Sequence, residues 1–244
     1  MRRATSRERT GMWCAGGGRE LGENRVLPGR EAVEARRTGF LVRGGPTKAD
    51  VWVADLPGRG RVVVKDFSRK AWPVRLWGWL QVAREARFLE VLEDLGATPA
   101  LAGRLGRYAV VMDFIEGSRL FEHPGPASRP HLEHLRRVLD AVQARGIVHN
   151  DLRGRENVLL LADGSGVVVL DWASALRLPP GSLRHKILFK ALRSVDDSAF
   201  LKWKDMLDPG SLTLEDRERM RRFRRWRRLW PFNRKGVGWT RAEL

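Results

Sequence analysis

Acid, amide and guanidinium side chains are concentrated between His149 and Asp171. There the chain reads His-Asn-Asp-Leu-Arg-Gly-Arg-Glu-Asn, then two apolar runs and a closing Asp. Asp151 is a carboxylate that can orient a hydroxyl and take its proton. Asn157 and Asp171 are oxygen donors of the kind a hard cation such as Mg²⁺ prefers. A base beside two cation ligands is the equipment of phosphoryl transfer, where positioning and charge neutralisation supply most of the rate. A single Asp or Asn in a loop needs no such explanation, because both favour turns. The set of His149, Asp151, Asn157 and Asp171 at these spacings does. His149 itself reads as structural, packing and hydrogen-bonding beneath the loop.

A second pair lies upstream. In Arg-Val-Val-Val-Lys-Asp-Phe (61–67), strand alternation puts Lys65 on one face with Val63 and Phe67. A cation on an apolar face needs an anion close by. The helical stripe Val82, Glu85, Leu89, Leu92 is apolar except for Glu85, which is the expected partner. Further upstream, 39–54 reads as strand, glycine turn, strand. Gly44, Gly45 and Thr47 at its tip are candidates to offer backbone N–H groups to a triphosphate, and an ordinary tight turn accounts for the glycines equally well.

The elements that must position these groups follow from periodicity. A helix from about His131 to Arg145 carries the stripe Leu132, Leu135, Val138 or Leu139, and Val142, with Gly146 as its C-terminal cap. His131 and His134 are expected to face solvent, and no zinc site is expected. The runs 158–161 and 167–170 are strands joined by the turn 162–166. That hairpin holds Asn157 at one root and Asp171 at the far strand's end, so both can reach Asp151. Residues 107–117 read as a strand entering a connector, and 122–130 as a crossing rich in Pro and Gly. The aromatic, basic stretch Trp72–Leu80 is read as added core beside the sheet, with a membrane-interface surface as the alternative.

The order His-x-Asp, then Asn, then strand-turn-strand-Asp resembles the catalytic segment of the protein-kinase-like superfamily. Its wording, HNDLRGRENVLLL…VVVLDWASAL, is most similar to bacterial RIO-like and lipopolysaccharide-core (Kdo or heptose) kinases. The resemblance spans about residues 38–205 and implies an α+β, two-lobed fold. In it a small antiparallel β lobe with one helix (38–114) precedes a mainly helical lobe (115–216). It implies ATP and Mg²⁺ as cofactors, Asp151 as the acceptor base, and Asn157 and Asp171 as metal ligands. Arg153 stands where protein kinases often keep a phosphate-touching Lys. Lys65 with Glu85 matches the pair that orients the α- and β-phosphates. Met112 would back the adenine pocket, with Asp113 to Ile115 as the hinge that pairs with the base. One acid in 194–201 would brace the catalytic loop from below. The chain departs from the pattern in three places. Asn150 replaces an Arg, Asp151 and Asn157 are six rather than five positions apart, and Asp-Trp-Ala replaces Asp-Phe-Gly. The short stretch after Asp171, turned by Pro179-Pro180-Gly181, leaves little room for peptide docking and favours a small or glycolipid acceptor. A RIO-like protein kinase, an aminoglycoside- or choline-type phosphotransferase and a non-catalytic pseudokinase module are the alternatives.

Composition sets the frame. The chain has 244 residues, 43% hydrophobic, with a formal charge of +17 from 46 basic and 29 acidic residues. That is long enough for a full core, and the charge points to anionic partners: nucleotide, lipid or RNA. Arg-rich coding bias would supply the same excess. The lone cysteine, Cys14, excludes an internal disulfide. No signal peptide or transmembrane run is expected, so the reading is cytoplasmic, peripheral at the inner membrane's cytoplasmic face, and monomeric. Residues 1–37 are expected to be a flexible basic segment, mostly disordered or a weak helical lead-in. In the basic tail, 217–244, Met220, Phe223, Trp226 and Trp230 share one side of a helix among many Arg, a face suited to anionic lipid or, less favoured, RNA, or else to packing on the helical lobe.

Overall fold

A computed structural model describes residues 27–228; Cys14, Trp230 and the other residues outside that range, with the side chain of Trp226, are not described. The described residues form five helices and an antiparallel sheet of five strands, an α+β architecture. The sheet comprises β1 (Arg37–Val42), β2 (Asp50–Leu56), β3 (Gly60–Asp66), β4 (Leu101–Arg104) and β5 (Ala109–Asp113), in the order β1-β2-β3-β5-β4. Its central strands are Val-rich, as β-branched side chains on a half-buried pleat require. Alternation divides β3 between two cores. Val62 and Val64 pack with Trp52, Leu105 and Val111 on one face, while Val63 and Phe67 face the helix on the other.

Within the segment ending at residue 37, the helical lead-in is α1 (Arg30–Glu34), which packs on the sheet. Its Val33 is fully buried beside Trp52, and Arg30 pairs with Asp66 at 2.7 Å. The stretch Trp72–Leu80 is not a separate core segment. It is the first half of α2 (Trp72–Leu92), and Trp72, Leu76, Trp77, Trp79 and Leu80 are exposed. Only a narrow side of that half touches the sheet. Gly78 is required there, because a Cβ would lie 2.3 Å from Cγ of Phe67. The second half carries the expected stripe inward, with Val82, Glu85, Leu89 and Leu92 all buried.

Beyond β5 the chain makes β6 (Gly117–Arg119), then α3 (Arg129–Ala144) and β7 (Ile147–Val148). The expected hairpin is β8 (Val158–Leu161) and β9 (Val167–Val169), and β6 pairs with β8. A short β10 (Leu176–Arg177) pairs with β7 before α4 (Leu183–Leu207) and α5 (Leu214–Arg228) close the described chain. The α3 stripe is buried as periodicity requires: Leu132, Leu135, Val138, Leu139 and Val142. His134, expected in solvent, is instead half-buried, and its Nδ1 accepts a hydrogen bond from the Val167 amide at 3.0 Å. One apolar cluster joins α2, β5, α3, the hairpin and α4 through Leu89, Met112, Leu139, Trp172 and Trp203. The two parts that hold the chemistry therefore share packing. Among the described residues no helix is long and apolar enough to cross a membrane.

Candidate active site

β3 and α2 deliver the upstream pair as expected. Lys65 Nζ lies 2.9 Å from Glu85 Oε2 and 2.7 Å from Asp171 Oδ1, so one ammonium joins the sheet, the helix and the end of the hairpin. The Glu85 side chain is 2% exposed, and that of Asp171 is 41% exposed. Burial alone would lower the Lys65 pKa; the two carboxylates outweigh it and hold the ammonium above the ordinary lysine value. Burial pushes Glu85 up, and Lys65 pulls it back towards the ionised form. At Asp171 burial also pushes up, but the Lys65 charge and hydrogen bond prevail and the carboxyl lies below its usual value.

The loop between α3 and β8 is built from below. Asp196, on α4, accepts hydrogen bonds from the amides of His149 (2.6 Å) and Asn150 (2.9 Å). It is thus the bracing acid of the 194–201 stretch. Asp197 instead pairs with Arg136 at 2.9 Å. Burial raises the Asp196 pKa against the opposing pull of His149 and these two amides. His149 is fully buried; its Nε2 donates to the Leu170 carbonyl at 2.9 Å, and its Nδ1 accepts from the Asp151 amide at 3.2 Å. Its ring meets Trp172 edge-on, centroids 4.7 Å apart. The imidazole thus ties the loop to the residue before Asp171. Asn150 and Asp171 both have left-handed backbones, φ 65° and 59°. Non-glycine residues hold that conformation where surrounding bonds over-determine it.

Asn157 Nδ2 donates to the Asp151 carbonyl at 2.7 Å, which fixes the amide and leaves Oδ1 to act as an acceptor. The Leu170 amide donates to the Asn157 carbonyl at 2.9 Å. Pairing of Val158 with Val169 places Asn157 and Asp171 at adjacent ends of the hairpin. Gly154 makes the lengthened spacing feasible, since a Cβ there would meet Asn157 Nδ2 at 2.8 Å. Asp151 is exposed. Among the described residues there is no cluster of three or more His, Cys, Asp or Glu side chains that could hold a metal. Asn157 and Asp171 nonetheless fit Mg²⁺, which is usually held by one or two protein oxygens together with phosphate oxygens and water.

Other candidates lie apart from this group. The Arg153 guanidinium contacts α4 and α5. It donates to the carbonyl and hydroxyl of Ser198 (3.3 and 3.2 Å) and stacks near Phe223, 5.7 Å from its centroid. Gly44 and Gly45 form the β1–β2 turn, with Thr47 exposed. Asp50 accepts from the Gly44 amide at 3.0 Å, and Lys70 bridges Asp50 and the Gly45 carbonyl. A Cβ at Gly44 would collide with the Ala49 carbonyl, so close backbone packing explains that glycine. Met112 is buried at the end of β5; Asp113 pairs with Arg59 at 2.8 Å. The amides of Asp113 and Phe114 donate to the Ala100 and Arg61 carbonyls, while Ile115 lies outside both strands.

Sequence reasoning missed two supports. Lys202 donates to the Arg153 carbonyl at 3.0 Å, and Trp203 Nε1 to the Leu152 carbonyl at 2.9 Å. Both are about fifty positions from the loop, so only the packing of α4 reveals them. The Pro-Pro-Gly turn offered a partial signal, since it starts α4 directly after the site. No family model matches the chain, and neither does any curated protein.

Proposed function

We propose that the chain is a protein-kinase-like phosphotransferase that moves the γ-phosphoryl group of ATP to a hydroxyl, most consistent with a glycolipid sugar acceptor. The observation that carries this reading is Lys65 held between Glu85 and Asp171 at 2.9 and 2.7 Å. An ammonium fixed by a buried carboxylate on one side and a half-exposed one on the other is poised to accept phosphate oxygens. Lys65 binds the α- and β-phosphates, and Glu85 keeps it aimed. Mg²⁺ bound by Asn157 and Asp171 would neutralise charge building up between the β- and γ-phosphates. Asp151 orients the acceptor hydroxyl and takes its proton. Met112 closes the back of the base pocket. Because Asp113 and Phe114 already donate their amides, pairing to the base through N–H falls to Ile115. Gly44, Gly45 and Thr47 cover the phosphates from above.

A second reading, a nucleotide-binding module without turnover, has one observation in its favour: the Arg153 guanidinium donates to Ser198 and lies 5.7 Å from the Phe223 ring centroid. Labelled phosphate transfer from ATP to core sugars, lipids and proteins, with Asp151→Ala as control, separates the two. Transfer to one acceptor class, lost in the variant, supports the kinase. Mg–ATP binding without any transfer supports the module.

A further inference from the structure

The exposed half of α2 carries an apolar surface that no described element covers. Trp72, Leu76, Trp77, Trp79 and Leu80 are 76, 54, 56, 40 and 44% exposed. Four of them recur at i, i+4, i+7 and i+8, one stripe of a helix, and Trp77 borders it. Scattered apolar residues are normal on a surface, but a contiguous group of this size marks a contact face. The helix does not need these side chains for its own attachment, because Gly78, Val82, Glu85, Leu89 and Leu92 anchor the opposite side.

Charge says what the face meets. From Phe67 to Arg84 the sequence contains Arg69, Lys70, Arg75 and Arg84 and no carboxylate; of these Lys70 is turned to Asp50, Arg75 lies over Tyr108, and Arg69 pairs with Glu34 while remaining 68% exposed. Arg69 stays largely exposed at one end of the stripe, and the exposed Arg87 extends it one turn past Ala83. Trp indoles favour the headgroup level of a bilayer, where acceptors for their N–H groups are available in any orientation. A protein partner would have to match each one. Basic residues around such a stripe add attraction to anionic lipid. The start of α4 repeats the pattern. Leu183 and Ile187 are 72 and 64% exposed among Arg184, Lys186 and Lys190, and no carboxylate occurs between Asp171 and Asp196. On α5 the described part of the apolar side is engaged within the fold at Phe223, which is half-buried and lines a cleft of about 930 Å³ with Ile187, Phe200 and Leu201.

We propose that the first turns of α2 dock on an anionic bilayer surface by inserting Trp72, Leu76, Trp77, Trp79 and Leu80 at the headgroup level. Arg84, further along the helix, donates to the Ala175 carbonyl at 2.5 Å, four residues past Asp171. A docked α2 therefore sets the candidate site beside the lipid, and the acceptor is a hydroxyl borne by a lipid. That last step rests on the proposed phosphotransferase reading; the docking does not.

The test is flotation of the full chain, without nucleotide, on vesicles of phosphatidylglycerol and phosphatidylcholine. The wild type is expected to float with them, to bind pure phosphatidylcholine weakly, and to lose binding as salt rises. The triple variant Trp72→Ser, Trp77→Ser, Trp79→Ser is expected to bind at least about tenfold more weakly. Its urea midpoint and its transfer to a soluble acceptor are expected to be unchanged. Equal binding by the variant, or no binding by the wild type, overturns the docking. So does a wild-type dimer that the variant dissociates while vesicles go unbound, which would give the face to a second copy. Failure of transfer with intact vesicle binding would overturn the enzymatic reading alone.

Discussion

Deleting the Lys65 ammonium would strand a carboxylate at Glu85 with almost no access to water. Removing one member of a buried pair costs about 3–5 kcal/mol, so Lys65→Met should lower the urea-derived unfolding free energy by about that much at neutral pH. The pH dependence gives a sign. In the variant the Glu85 pKa is raised further in the fold than in the unfolded chain, so the fold takes up a proton and gains stability as pH falls. The deficit relative to wild type should shrink as pH falls from neutral towards the ordinary glutamate pKa. In the wild type, raised Lys65 contributes at all pH values below the ordinary lysine pKa and is lost only above it. Lowered Asp171 contributes above the ordinary carboxylate pKa and is lost as pH falls below it. Asp196→Ala makes a separate case. It leaves the His149 and Asn150 amides without their acceptor, and each orphaned buried donor costs about 1–3 kcal/mol. Hydrogen exchange at those two amides should speed up with the drop in stability. Lys65 and Glu85 were legible because strand and helix periods alone put a cation and an anion on facing apolar sides, and Asp171 because it ends the second strand of a hairpin. The position of Arg153 was not legible, because Ser198 and Phe223 reach it only through the packing of α4 and α5.

Among the elements, α2 shows why boundaries were harder to read than faces. Its second half alternates buried and solvated positions with a clear helical period. Its first half, 72–80, carries one polar side chain, Arg75, so the contrast between faces gives little signal for a helix start at Trp72. The α1 helix was legible only as a weak lead-in, because five residues with one buried side chain, Val33, have no period to detect. The β8–β9 hairpin needed no tertiary information, because two Val/Leu runs and an Asp-Gly turn specify it. Gly78 allows a test of how α2 is seated. In an ordinary helix, Gly→Ala gains about 1 kcal/mol. Here the new Cβ would lie 2.3 Å from Phe67, so Gly78→Ala should instead destabilise by about 1–3 kcal/mol in urea melts. A more stable variant would mean that α2 stands further from β3 than described.

For the whole molecule, the contact between Lys65 and Asp171 matters beyond its energy, since it joins residues 106 positions apart. Both sides of the site pack into one apolar cluster, which keeps the hairpin and the sheet in register. A ligand bridging them should stabilise the entire chain by mass action. Mg–ATP is therefore expected to raise the melting temperature of the wild type and not that of Lys65→Met. The α+β class and the division between a sheet-bearing and a helical part could be read from the sequence. Which surfaces remain uncovered could not, because exposure is a property of the assembled fold. The most direct test is steady-state release of labelled phosphate from γ-labelled ATP in the presence of Mg²⁺, comparing wild type with Asp171→Asn. The account predicts turnover by the wild type that requires Mg²⁺ and falls at least about a hundredfold in the variant. Equal turnover by the two proteins, or none by a folded wild type that binds Mg–ATP, would contradict it.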